Sequence, residues 1–126
     1  MSKSGNQYEI GTADVRPWGK WAVVDAGPNF TVKRITVNPG GVLSLQMHYG
    51  RSEHWTIVGG TAEVTLGDET FTVERNGSVY IPPQTKHRIA NRAAGELVFV
   101  EVQCGERLDE NDIVRFEDQY GRTTKR

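Results

Sequence analysis

Residues 40–60 read GGVLSLQMHYGRSEHWTIVGG. Two short runs rich in Val, Ile, Leu and aromatic residues, 43–48 and 54–58, lie between glycine pairs, Gly40-Gly41 and Gly59-Gly60. Such runs bounded by turn residues read as strands. The same rhythm extends in both directions. It predicts further strands at 20–25, 30–37, 61–66, 69–74, 78–81, 86–91 and 96–103. Turn signals separate them at Ala26-Gly27-Pro28-Asn29, Pro39-Gly40-Gly41, Gly67-Asp68, Asn76-Gly77, Pro82-Pro83 and Ala94-Gly95. Gly67-Asp68 between two alternating runs is a two-residue hairpin signal. Helical periodicity is weak, and its best candidate is one turn near 107–112. Short strands at this spacing predict an all-β sandwich or barrel. The first 14 residues and 123–126 are expected to be polar tails.

Composition narrows the function classes. At 126 residues the chain is expected to be one domain. Lys and Arg number 15 against 16 Asp and Glu, a net charge of −1, which argues against a nucleic-acid partner. No apolar run reaches the length of a membrane span. The opening MSKSGNQYEIGTADV has no signal-type apolar core. The single cysteine, Cys104, cannot form an internal disulfide and reads as a buried small hydrophobe. A cytoplasmic location is the expectation, with no membrane contact.

Only three histidines occur: His48, His54 and His87. Gln46 and His48 are two apart on a predicted strand, so they leave the same face. Glu53 follows after a short turn, and His87 opens a strand after Pro82-Pro83. A lone buried histidine is most often a satisfied core residue. Two imidazoles, a carboxylate and an amide oxygen that a barrel can bring together form a mixed N/O set suited to a divalent metal. His54, adjacent to Glu53, should face the other way.

The spacing resembles the cupin superfamily, whose first motif runs G-x5-H-x-H-x(3,4)-E-x6-G. Gly40, Gln46, His48, Glu53 and Gly60 follow it, with Gln46 where most cupins have His. The second motif, G-x5-P-x-G-x2-H-x3-N, is met by Gly77, Pro82, His87 and Asn91. One residue is missing between Gly77 and Pro82, and Gln84 replaces the inner Gly. The longer strings RPWGKW (16–21), VKRITVNPGGVLSLQMHYGRSEHW (32–55), YIPPQTKHRIAN (80–91), EVQCG (101–105) and RFEDQYGR (115–122) resemble the C-terminal domain of the bifunctional type II mannose-6-phosphate isomerase/mannose-1-phosphate guanylyltransferase family. The resemblance implies a double-stranded β-helix, the cupin jelly-roll barrel. It implies a metal held by Gln46, His48, Glu53 and His87, with zinc expected and Mn, Fe, Co or Ni admitted by the donors. It also implies a sugar-phosphate aldose–ketose isomerase. No Gly-rich nucleotide-binding segment is present, so a free-standing isomerase-like domain without guanylyltransferase activity is the expectation.

Glu101 and Arg88 are the candidate catalytic residues, Glu101 because it and Gln103 end an otherwise apolar strand face. Arg88 is out of phase with His87, which weakens its case. Lys33, Arg51, Lys86 and Gln103 are the candidate substrate contacts, the cations because a sugar phosphate needs them. Lys33 shares a face with Ile35 and Val37, and Arg51 is read as a turn residue at the barrel mouth. Arg16, Arg34 and Arg122 are weaker candidates. Trp18, Trp21 and Trp55 read as core, with Trp18 also able to close a pocket. A homodimer is expected, with the segment around Tyr8 and Ile10 as an exchangeable strand. The rival readings are a sugar- or small-molecule-binding cupin without chemistry and a different metalloenzyme such as a dioxygenase. The glutamine at 46 argues against the dioxygenase, because the common iron dioxygenase cupins carry His there.

Overall fold

A computed structural model describes residues 8–109 and 111–118. The chain forms eleven strands: β1 (Ala13–Arg16), β2 (Gly19–Gly27), β3 (Phe30–Val37), β4 (Leu45–Met47), β5 (Arg51–Gly59), β6 (Thr61–Leu66), β7 (Glu69–Glu74), β8 (Ser78–Ile81), β9 (His87–Ala90), β10 (Leu97–Gly105) and β11 (Val114–Glu117). All pairings between them are antiparallel. One sheet has the order β1-β2-β3-β10-β5-β8 and the other β11-β4-β9-β6-β7. Among the described residues there is no helix, and none therefore is long and apolar enough to cross a membrane.

The core draws on both sheets. Val23, Ile35, Val37, Ile57, Leu97 and Phe99 come from the first, and Ala62, Val64, Val73 and Ile89 from the second. Phe99 is fully buried and stacks at 5.4 Å on Trp55; such burial is worth about 1.5–3 kcal/mol. The period-two alternation is plain in β5 and β10. Arg51, Glu53, Trp55 and Ile57 face inward on β5, as do Leu97, Phe99, Glu101 and Gln103 on β10. The strand at 54–58 is thus longer than its sequence suggests, and Arg51 and Glu53 belong to it rather than to a turn. The turn is Tyr49-Gly50, whose two amides donate to the Asp112 carboxylate at 2.9 and 2.8 Å.

Other expectations are corrected. β1 lies partly inside the supposed polar tail, and its own chain's β2 pairs with it from Ala13↔Ala22 to Arg16↔Gly19. β11 was not foreseen. The short turn expected near 107–112 is present: the Asp112 amide donates to the Asp109 carbonyl three residues back at 3.3 Å, and the Asp109 carboxylate accepts the amides of Asn111 and Asp112. Cys104 is exposed, because its neighbour Gln103 takes the inward position. Arg122 and the remainder of the last motif lie outside the described residues.

Two turns explain their residues. The β6–β7 hairpin closes through Gly67-Asp68 with Gly67 at φ +62°, in the left-handed region that favours glycine. Gln84, at the place of the inner motif glycine, also adopts a left-handed φ of +58°. Its amide donates to the His48 carbonyl at 2.7 Å, which offsets the strain and ties the turn before His87 to the end of β4. Gly60 is the most constrained of the motif glycines. It has φ +83°, and a Cβ there would lie 2.5 Å from the Glu96 carbonyl oxygen. Gly60→Ala is expected to lower stability by more than about 1 kcal/mol, and by more than Gly67→Ala, where φ is similar but space is open. Equal losses in urea melts of the two variants would contradict the packing argument.

Candidate metal centre

Three neighbouring strands change from apolar to polar at the same level. On β3 the inward face passes from Val37 and Ile35 to Lys33 and Thr31. On β10 it passes from Leu97 and Phe99 to Glu101 and Gln103, and on β5 from Ile57 and Trp55 to Glu53 and Arg51. The register sets Glu101 between Lys33 and Trp55, and Gln103 between Thr31 and Glu53. The opposite sheet contributes Gln46 and His87, which are direct partners across β4 and β9. A cavity of about 120 Å³ opens at this end, lined among others by Trp18, Lys33, Gln46, His48, Glu53, His87 and Glu101.

His48, Glu53 and His87 are 3%, 2% and 3% exposed, and each offers a donor atom within 4.8 Å of the others. Second contacts set both imidazoles. His48 Nδ1 lies 2.6 Å from the Asp112 carbonyl and His87 Nδ1 lies 2.9 Å from the Thr85 carbonyl. A carbonyl only accepts, so each Nδ1 carries the hydrogen, and in the neutral ring Nε2 keeps its lone pair. Both Nε2 atoms face Glu53, at 3.2 Å from Oε2 for His48 and 3.9 Å from Oε1 for His87. Lone pairs of two imidazoles converging on a carboxylate are a donor set for a cation, and carbonyl-oriented histidines are the usual support for metal ligands. Gln46 spends its amide nitrogen on the Ser44 hydroxyl at 3.1 Å, which leaves its oxygen as the atom for an ion. The residues therefore fit a borderline divalent metal, with Gln46 as the weakest donor.

The electrostatics follow from burial. Burial acts to raise the Glu53 carboxyl, but Arg51, then His48 and His87, hold it well below the usual carboxylate range. Burial lowers His87 to about 4, so this ring is neutral and able to ligate near neutral pH. Burial, reinforced by the charge of Glu53, pushes Glu101 up to about 7, against the pull of Lys33 and Arg51. The two carboxylates share one donor: Trp55 Nε1 gives hydrogen bonds to Glu53 Oε1 at 3.0 Å and Glu101 Oε1 at 3.1 Å.

The remaining candidates divide. Lys33 reaches the cavity with its ammonium between the rings of Tyr8 (4.1 Å) and Trp21 (4.4 Å). Arg51 is buried beside Glu53 rather than exposed at a mouth. Gln103 is fully buried behind Glu101, to which its amide nitrogen donates at 2.6 Å; it supports Glu101 and does not line the cavity. Lys86 is exposed over the Phe116 ring and does not line the cavity. Arg88 borders the cavity, but its guanidinium is engaged by the Leu43 carbonyl and Glu117, as its parity warned. His54 faces outward and stacks on Tyr80 at 4.7 Å. Two contributors went unnamed in the sequence reading. Asp112 holds His48 across 64 positions of sequence, and Arg115, opposite Gln46 on β11, lines the cavity.

Residues 3–118 match the family described as "Mannose-6-phosphate isomerase C-terminal". The xanthan biosynthesis protein XanB of Xanthomonas campestris pv. campestris (strain B100) is 56% identical over 108 residues, covering 86% of this chain and 23% of that protein. The alginate biosynthesis protein AlgA of Pseudomonas aeruginosa is 54% identical over 124 residues, covering 98% of the chain and 25% of that protein. The mannose-1-phosphate guanylyltransferase ManC of Salmonella typhimurium is 50% identical over 107 residues, 85% of the chain and 22% of that protein. The chain thus spans about a quarter of the length of these relatives. Among solved structures, KdgF from Halomonas sp. superposes with a TM-score of 0.67 at 18% identity, covering 75% of this chain and 86% of that one. The cupin domain of Cnp3 from Schizosaccharomyces pombe does so with a TM-score of 0.66 at 18% identity, covering 68% and 64%. At that identity the likeness carries the cupin double-stranded β-helix fold and nothing further.

The raised Glu101 carboxyl has a thermodynamic consequence. A group whose folded pKa exceeds its ordinary value of 4.5 adds stability that is fully present below 4.5 and lost as pH rises through about 7. Glu101→Gln stays neutral throughout. In the presence of a chelator it should exceed the wild type by on the order of 3 kcal/mol near pH 8, and the excess should shrink as pH falls and vanish only below about 4.5. Denaturant melts across this range check it, and a pH-independent difference would contradict the burial argument.

Proposed function

The chain belongs to the mannose-6-phosphate isomerase C-terminal family, and on that premise we propose that it is a metal-dependent aldose–ketose isomerase acting on a hexose phosphate, mannose 6-phosphate to fructose 6-phosphate. The observation that carries the proposal is the pairing of a convergent His48–Glu53–His87 donor set with a buried carboxyl, Glu101, that lines the same cavity. The reaction takes a proton from C2 and returns one to C1, while the hydroxyl proton of O2 passes to O1. An ion held by His48, Glu53 and His87, with Gln46 as an added oxygen donor, would supply Lewis acidity to the sugar oxygens.

The chain's own residues do the rest. Glu101 is the base and acid for the C1–C2 proton, because it is the buried carboxyl that lines the cavity beside the donor set. Trp55 and Gln103 fix it from two sides. Arg16, Lys33 and Arg115 line the cavity and provide positive charge for the phosphate. Trp18, also in the lining, narrows access and limits water.

Zinc- or manganese-loaded protein should interconvert the two hexose phosphates and exchange the C2 hydrogen of mannose 6-phosphate with solvent. Glu101→Gln should keep its metal and lower kcat by roughly 10²–10⁴-fold with little change in KM. His48→Ala should lose both stoichiometric metal and turnover. A fully loaded protein with no exchange at C2 would overturn the assignment.

A further inference from the structure

Arg51 stands against the atoms that an ion would need. Its Nη2 lies 2.8 Å from Glu53 Oε2 and 3.1 Å from His48 Nε2, and its Nε lies 3.0 Å from the same Glu53 oxygen. The two hydrogens of Nη2 thus bridge an imidazole lone pair and a carboxylate oxygen that are themselves 3.2 Å apart. Those two acceptors are the donors that His48 and Glu53 would offer to a metal. One lone pair cannot serve a guanidinium hydrogen and an ion together.

The arginine is 8% exposed and charged: burial opposes its charge, but Glu53 and then Glu101 raise its pKa further. Among the described residues its side-chain hydrogen bonds go to Glu53 and His48. It is therefore held by the ligands themselves and by no separate anchor.

We infer that Arg51 is a resident cation that a divalent ion must displace, the two being alternative occupants of the His48–Glu53 donor pair. This rests on the reading of His48, Glu53 and His87 as ion ligands. The device keeps a buried carboxylate compensated at all times, since Glu53 exchanges one counter-charge for another and never lies bare. It also lowers the affinity of the centre for metal below what the donors alone would give, because each binding event must break the guanidinium pair.

The test is zinc affinity of the full chain, measured by competition with a chromogenic chelator, in the wild type, Arg51→Ala and Arg51→Lys. Arg51→Ala should bind zinc tighter by about tenfold or more. Millimolar guanidinium chloride should weaken that binding back toward the wild-type value, and the same concentration of potassium chloride should not. Arg51→Lys keeps a charge for Glu53 but lacks the fork that spans both acceptors, so it too should bind tighter than the wild type, by a smaller factor. It carries the comparison where Arg51→Ala loses its fold in chelator. Equal or weaker zinc binding in both variants, or no guanidinium effect in Arg51→Ala, would overturn the role of Arg51. Absence of zinc binding in all three proteins would overturn the ion-ligand reading instead.

Discussion

Glu53 is a carboxylate with 2% of its surface exposed, inside a β-barrel. An ionised group in that position costs several kcal/mol unless opposite charge and hydrogen bonds surround it. The structure supplies them from the same strand: Arg51 lies two residues back on the same face and Trp55 two residues ahead, and both donate to the carboxylate. The parity of β5 that turns Glu53 inward also turns Arg51 and Trp55 inward, so one strand carries the charge, its counter-ion and its hydrogen-bond donor. That the same carboxylate raises Glu101 is a consequence of this arrangement.

The barrel keeps stability and chemistry at different levels of the same strands. Val37, Ile57, Leu97 and Phe99 close one end as an apolar core, while Lys33, Glu53 and Glu101 occupy the other. The polar end is held by contacts distant in sequence. The Asp112 carboxylate receives the amides of the Tyr49-Gly50 turn, and its carbonyl orients His48. The Gln84 amide joins the His87 turn to the His48 backbone. The two imidazoles are therefore placed by backbone contacts, and side-chain chemistry is left to the ligand face.

Much of this was legible in the sequence. The strands at 30–37, 61–66, 69–74 and 78–81 coincide with β3, β6, β7 and β8, because each alternates between turn-forming residues. The spacing from Gly40 to Gly60 and the later His87 pointed to His48, Glu53 and His87, which the structure brings together, since a barrel brings inward positions together whatever their separation. β1 and β11 escaped notice because they are four residues long and carry little alternation. The burial of Arg51 was hidden by reading 49–53 as a turn. Strand parity sets Arg88 apart from His87, and it places Cys104 outside once Gln103 is inside. Nothing local reveals that Asp112 meets His48 or that Trp55 serves two carboxylates. Those contacts belong to the closed barrel.

The role of His48, Glu53 and His87 as ligands is open to direct observation through X-ray absorption at the zinc K-edge of the loaded protein. The expected spectrum has nitrogen and oxygen neighbours at about 2.0–2.2 Å with the outer-shell pattern of two imidazoles. A sulfur shell near 2.3 Å, or a first shell without imidazole scattering, would contradict it.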